Sequence, residues 1–278
     1  TTSTIPPTPL RSSYSPSHAQ KRMFILHQLE PHSPVYTISH ASRLTGHLDP
    51  AKLARAAHTL QKRHASLRTN FREVDGHPVQ VIREEPVTKL KFYDLSKLSP
   101  EEQARKKTDI IQKTTQDPFD LEKDPLVRMV LIKEAGGKTP VSDSSPEESA
   151  ANAQKRDKDT HTLITALHHI ISDAWSTDIF FRELSELYNS YLDGKDPDLS
   201  ELSIQYSDYA EWERSKENQK RLKQQEKYWL NELSGELPVL DLPADKPRPP
   251  VQTYRGSAEP VPLDKNTSRQ LKEFSQKQ

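Results

Sequence analysis

The chain has 278 residues, with 40 basic and 40 acidic side chains and a formal net charge of zero; the length fits one large domain or two modest ones, and the balanced charge argues against the basic excess of a nucleic-acid footprint. Cysteine is absent, which excludes disulfides, thiolate metal sites and a cysteine nucleophile. The apolar share is low at 32% against 29% charged, so the chain either carries long solvated segments or is part of a larger fold.

Residues 1–13 read as a flexible lead-in. The first 17 residues are rich in Thr, Ser and Pro and lack the apolar core of a signal peptide. No run approaches the roughly 18 apolar residues of a membrane span, so no membrane partner and a cytoplasmic location are expected. Residues 17–29 read as a helix with Met23, Phe24, Leu26 and Leu29 on its apolar side. Residues 35–48 alternate like a strand. Asp49-Pro50 then gives a helix cap with proline at the first helical position, followed by Leu53, Ala56, Ala57 and Leu60 at helical spacing. Residues 71–82 read as a hairpin turning at Asp75-Gly76. Ser99 and Glu102 form a capping box that opens another helix.

Residues 126–133 and 161–169 read as buried strands. Between them, residues 134–160 lack any apolar period and are expected as a mobile loop joining two paired strands. Residues 173–191 form a strong amphipathic helix with Ile179, Phe180, Leu184 and Leu187 on one face. A further helical stretch covers residues 206–233, then a proline-rich connector over 243–250, a strand over 254–263 and an unfinished helix over 265–278. Strands and helices are mixed, so the class is α/β or α+β. The sequence contains neither G-x-G-x-x-G nor G-x-x-x-x-G-K-[ST], so no phosphate-cradling loop is expected.

The segment with most chemistry is His168-His169-Ile170-Ile171-Ser172-Asp173, where a buried strand gives way to a helix. Side chains alternate along a strand, so one histidine faces packing and the other a cavity. Asp173 starts the helix, where a carboxylate also suits the dipole. Taken alone, a strand-end histidine is more often a satisfied structural residue, and an aspartate before a helix is usually only a cap. A metal site is not expected, because adjacent histidines point apart and no third ligand is spaced nearby. A serine hydrolase would need a G-x-S-x-G elbow, which is missing.

The stretch HHIISDAWS, His168 to Ser176, resembles the HHxxxDG core motif of condensation domains in nonribosomal peptide synthetases. Three other segments match that family in the same order. SHAQKRMFIL from Ser17 resembles its first motif, RHASLRTNF from Arg63 its second (RHExLRTxF), and YSDYAEW from Tyr206 its fourth (YxDYAxW). The resemblance covers the chain from about Tyr14 onward. Two positions depart from the patterns: Ala174 stands for the motif glycine, and Ala65 for a glutamate.

The resemblance implies an α+β sandwich: a chloramphenicol-acetyltransferase-like first lobe over residues 14–200, then the lobe junction and the opening of a second lobe over 201–278. The rest of that second lobe would be a missing partner. It implies amide formation between an acyl or peptidyl thioester and an aminoacyl group, both carried on phosphopantetheine arms. No cofactor would be bound directly. The partners would be an upstream donor carrier, a downstream acceptor carrier and an adjacent adenylation domain. His169 would be the catalytic residue, orienting the amine and steadying the charged intermediate. His168, Asp173 and Arg68 would structure the site, with Arg68 as the salt-bridge partner of Asp173. Ala174, Trp175 and Ser176 would lie on the tunnel or acceptor side, although Trp175 also reads as a core residue. Tyr206, Asp208 and Trp212 would brace the lobe junction. Other readings stay open: a coenzyme A-dependent or carrier-dependent acyltransferase of the same superfamily, an epimerase, or a non-catalytic docking module.

Overall fold

The computed structural model describes residues 5–135, 160–241, 243–247, 250 and 261–277. Two compact units divide the chain, residues 1–234 and 235–278.

The first unit is built around a four-stranded sheet. Its strands are β1 (Thr37–Thr45), β4 (Lys91–Asp94), β5 (Val127–Glu134) and β6 (Thr160–His168), and they lie in the order β1-β6-β5-β4. β6 pairs antiparallel with both β1 and β5, and β4 lies parallel to β5. All nine residues of β6 are buried, as a central strand covered on both faces requires. Side-chain alternation splits the two central strands between two cores. Met129, Leu131, Leu163 and Leu167 face Leu53, Ala57 and Leu60 of helix α2 (Pro50–Arg63) and Phe180, Leu184 and Leu187 of helix α4 (Ala174–Leu192). Val130, Ile132 and Ile164 face Ile110 and Ile111 of helix α3 (Pro100–Gln116) on the other side. The result is a mixed α/β sandwich, as the sequence implied.

Local chemistry sets the element ends. Asp49 caps α2 by accepting the Ala51 and Lys52 N–H groups at 2.9 and 3.1 Å, and Ser99 and Glu102 close the expected capping box on α3. Strands β2 (Thr69–Val74) and β3 (His77–Ile82) form the expected hairpin. Asp75 and Gly76 both take positive φ, 50° and 74°, as a two-residue turn of the primed type requires. Helix α1 (His18–Leu29) is capped by Ser17 and buries Gln20, Phe24 and His27, so a histidine sits in its apolar stripe while Leu29 is exposed.

Three expectations change. Residues 35 and 36, read as the start of a strand, belong to a 3-10 turn (Pro34–Tyr36), because the Ser33 side chain caps it with Pro34 at its first position. The single helical stretch over 206–233 is two helices, α5 (Tyr206–Glu213) and α6 (Lys216–Glu232), divided where Ser215 caps the second. The lead-in expected to be flexible is anchored to α5 where it is described: the Thr8 N–H donates to Asp208 Oδ1 at 2.8 Å, and Arg11 pairs with Glu211 at 3.5 Å. The loop expected over 134–160 falls, for residues 136–159, outside the described residues, as does the strand expected over 254–263 for residues 254–260. In the second unit, Asp264 accepts from the Asn266 and Thr267 N–H groups at the start of helix α7 (Lys265–Lys277).

Asp208 is buried, and its second oxygen accepts the Gln205 N–H at 2.7 Å. Asp208→Ala would leave both donors without this partner. We expect it to cost about 1–3 kcal/mol, measured as a lower urea midpoint at constant slope. An unchanged midpoint would mean that this carboxylate does not hold the N-terminal segment.

Candidate active site

The histidine pair sits at the end of β6, and the backbone divides it. The His168 N–H donates to the Leu126 carbonyl at 3.0 Å, and the His169 N–H to the Tyr36 carbonyl at 2.7 Å. The two rings therefore leave the strand on opposite sides. His168 is 2% exposed, ringed by His27, Phe119 and Tyr36 at centroid distances of 5.3, 6.0 and 6.4 Å. Its Nδ1 accepts the Ile170 N–H at 3.1 Å, which assigns the proton of the neutral ring to Nε2. Burial, with smaller contributions from His27 and His169, pushes the His168 pKa down to about 3. It is a neutral packing residue at neutral pH. His169, by contrast, is exposed.

Asp173 caps α4. Its Oδ1 accepts from the Ser176 hydroxyl at 2.6 Å and the Ser176 N–H at 2.8 Å. Those two hydrogen bonds hold its carboxyl below the usual carboxylate range, with His169 among the lesser causes. The expected Arg68–Asp173 pair is not formed. Arg68 ends the 3-10 turn that follows α2 (residues 65–68) and instead donates to carbonyls: Gln61 at 2.9 Å, Lys62 at 3.3 Å, Glu84 at 3.1 Å, and Arg83. The last carbonyls of a helix lack intrahelical partners, and the Arg68 guanidinium, five residues past the helix end, reaches two of them. The Arg68 side chain thus ties the end of α2 to the segment after β3.

Ala174 is the first residue of α4, and the only non-glycine residue with positive φ among the described residues is Asp75. No left-handed backbone at Ala174 calls for the motif glycine. Trp175 is 80% exposed, which corrects its reading as core. It lies on the first turn of α4, roughly opposite the buried Leu184 and Leu187 at 100° per residue. His169, Asp173, Ala174, Trp175 and Ser176 are all exposed and lie within eight residues of one another.

Sequence reasoning missed Glu183. It is 5% exposed on the buried face of α4, and its Oε2 receives Arg63 Nε at 3.0 Å and His64 Nε2 at 2.7 Å. Arg63 also donates to the Ser200 carbonyl at 2.6 Å. The signal was available: Glu183 interrupts the apolar run of Phe180, Leu184 and Leu187. Removing this carboxylate leaves two partly buried donors without their shared acceptor. Glu183→Ala is expected to lower stability by about 2–3 kcal/mol, and Arg63→Met in the same chain should recover part of that loss. Strictly additive losses in the double-mutant cycle would dissolve the coupling.

The other motif residues brace the same region. The Tyr206 hydroxyl meets the Ser17 hydroxyl at 3.1 Å, Glu213 accepts the His18 N–H at 2.7 Å, and Arg214 donates to the Pro16 carbonyl at 2.7 Å. Trp212 stacks under Arg221 at 5.0 Å. A cavity of about 530 Å³ lies elsewhere: Lys89, Tyr93, Ile110, Lys113, Arg128 and Met129 line it between α3 and the β4–β5 edge. No residue of the histidine motif lines it. Among the described residues, no group of three or more His, Asp or Glu is placed to hold a metal ion, and no helix is long and apolar enough to cross a membrane.

Comparison with known proteins places this arrangement. The family model "Condensation domain" matches residues 11–139 and 149–278. Bacitracin synthase 2 of Bacillus licheniformis is 37% identical over 265 residues, which is 95% of this chain and 9% of that protein. Tyrocidine synthase 3 of Brevibacillus parabrevis is 38% identical over 252 residues, 91% of this chain and 3% of that protein. The chain therefore spans less than a tenth of these curated relatives. Among solved structures, the X-domain in complex with OxyB from teicoplanin biosynthesis superposes with a TM-score of 0.70 at 24% identity, covering 91% of this chain and 50% of that one. The starter condensation domain of rhizomide synthetase gives 0.63 at 21% identity, covering 81% and 48%.

Proposed function

The chain belongs to the condensation-domain family of nonribosomal peptide synthetases, and on that premise we propose that it contributes the histidine-bearing half of a site joining a donor acyl or peptidyl thioester to an acceptor amine. Both substrates arrive on phosphopantetheine arms, from an upstream and a downstream carrier domain, with an adenylation domain alongside. The observation that carries this reading is the division of labour in the histidine pair. His168 is buried and neutral, while His169 is exposed at the end of the most buried strand, next to the capped carboxylate Asp173.

The amine nitrogen attacks the thioester carbon, the new C–N bond forms, and the C–S bond breaks to release the donor thiol. The proton lost by nitrogen ends on that sulfur. In this reading His169 accepts a hydrogen bond from the attacking amine. A free α-amino group titrates near 7.7 to 8.0, so a useful fraction is already neutral near pH 7. Orientation, which can supply roughly 7–11 kcal/mol, is therefore the larger contribution of His169, with proton transfer secondary. Asp173 holds the start of α4 and does not touch substrate. Ala174, Trp175 and Ser176 form the exposed approach to His169.

A tunnel needs two walls, and the chain covers about half of the solved domains it matches. Residues 1–278 alone are expected to show little or no turnover. The test is single-turnover transfer between two loaded carriers, read by mass spectrometry of the acceptor arm, with the natural chain that contains these residues. Product on the acceptor supports the reading. No product with cognate, loaded carriers moves the assignment to a docking module or an epimerase.

A further inference from the structure

Beside the histidine motif the fold leaves a cavity of about 300 Å³. Its apolar wall comes from four places: the turn between α2 and β2 (Leu67), the end of β6 and the motif (Leu167, Ile171), the first turns of α4 (Ile179, Phe180), and the segment ahead of α5 (Leu202, Ile204). It adjoins the site directly. Ile171 and Ser172 follow His169 in the chain, and Ser176, also on the wall, is bonded to Asp173.

The polar groups on that wall are mostly engaged. His64 is held by Glu183, Ser176 by Asp173, Tyr206 by Ser17, and Tyr209 by Glu213. The Gln205 amide spans Ala65 N–H and the Arg63 carbonyl at 2.9 and 3.0 Å. No Lys, Arg, Asp or Glu lines the cavity. Ser172 differs: it is nine-tenths buried on this wall, and its Oγ has no hydrogen-bond partner. At the mouth, Ile179 and Leu202 remain 39% and 38% exposed, so apolar surface is open to water.

We propose that this cavity receives the uncharged, apolar side chain of a carrier-bound substrate, an aliphatic or aromatic group rather than a carboxylate or ammonium. The proposal rests on the condensation reading above and names its substrate class. A volume near 300 Å³ is at the small end for ligand sites; it suits one side chain and not a whole carrier-bound arm. Burying apolar surface here is favourable. A charged group would lose its hydration with no counter-charge on the wall, at a cost of several kcal/mol.

The chemistry fits the donor or the acceptor residue, and transfer assays with one carrier varied at a time separate them. In the arm that uses the cavity, leucyl or phenylalanyl substrates should outpace aspartyl or lysyl ones by at least about 10-fold, the scale of hydrophobic-pocket discrimination. Leu202→Trp narrows the mouth and should lower the leucyl-to-alanyl rate ratio about 10-fold; Ile179→Ala should raise the phenylalanyl-to-alanyl ratio. Equal rates across side chains in both arms, or ratios indifferent to both substitutions, overturn the proposal. Calorimetric binding of the N-acetyl-leucyl and N-acetyl-aspartyl thioesters of N-acetylcysteamine separates this failure from that of the condensation reading. Selective leucyl binding weakened by Leu202→Trp, with no transfer from any carrier, retains the cavity and rejects condensation. Transfer without selective binding rejects the cavity alone.

Discussion

Replacing His169 with alanine is expected to cut single-turnover transfer by about 10² to 10⁴, the span assigned to a general acid–base group, while leaving thermal stability close to that of the parent. The stability half follows from geometry. The His169 ring is exposed, and the backbone N–H that ties this residue to the Tyr36 carbonyl survives the substitution. The rate half follows from placement on the end of a strand buried along its whole length, which holds the ring where a mobile loop could not. His169→Gln separates the two roles. Glutamine keeps a hydrogen-bonding group near the amine but cannot take a proton at neutral pH. If orientation dominates, Gln retains much more activity than Ala; equal losses would give proton transfer the leading role. Activity unaffected by either change would remove His169 from the centre of the site.

Much of this was legible along the chain. The apolar runs of β5 and β6 read as strands covered on both faces, and the two cores above and below them explain why no polar alternation was needed. Asp75-Gly76 fixed the hairpin and Ser99–Glu102 the start of α3, because both are local codes that need no tertiary information. That His168 and His169 face opposite ways also follows from alternation alone. Which of them is buried does not: it depends on His27, Phe119 and Tyr36 arriving from three distant segments.

Partner choice was the weak point for the same reason. The resemblance pairs Arg68 with Asp173, yet Arg68 meets carbonyls at the end of its own preceding helix, and Ser176 bonds Oδ1 of Asp173. Glu183 bonds residues 119 and 120 positions away, a pairing that no local spacing encodes. The four sequence motifs are joined to one another, the first to the third through the Gln20 side chain and the Ile170 carbonyl. The first and fourth meet through Ser17 and Tyr206. The second is locked, through His64, to the helix that the third begins.

The buried histidine makes the second large prediction, a loss of stability in mild acid. An unfolded His168 titrates near its ordinary 6.5, and burial depresses the folded value to about 3. Between those values the unfolded chain binds a proton that the native chain refuses, so protonation favours unfolding. The contribution is fully present above about pH 6.5 and is lost progressively as pH falls towards 3. His27 and His169 are the groups that add to the depression. His27 is itself pushed down by burial, opposed by Asp120, so it acts in the same direction. One such group costs about 2–3 kcal/mol between roughly pH 6.5 and 4.5, a window above most carboxylate titration. His168→Asn keeps an acceptor for the Ile170 N–H but cannot be protonated there. It lowers stability at pH 7 by opening space beside Phe119, yet its unfolding free energy should fall with acid less steeply than the parent's across that window. The two curves should therefore converge as pH drops. Parallel curves would mean that His168 is hydrated or partnered in a way that leaves its proton affinity unchanged by folding.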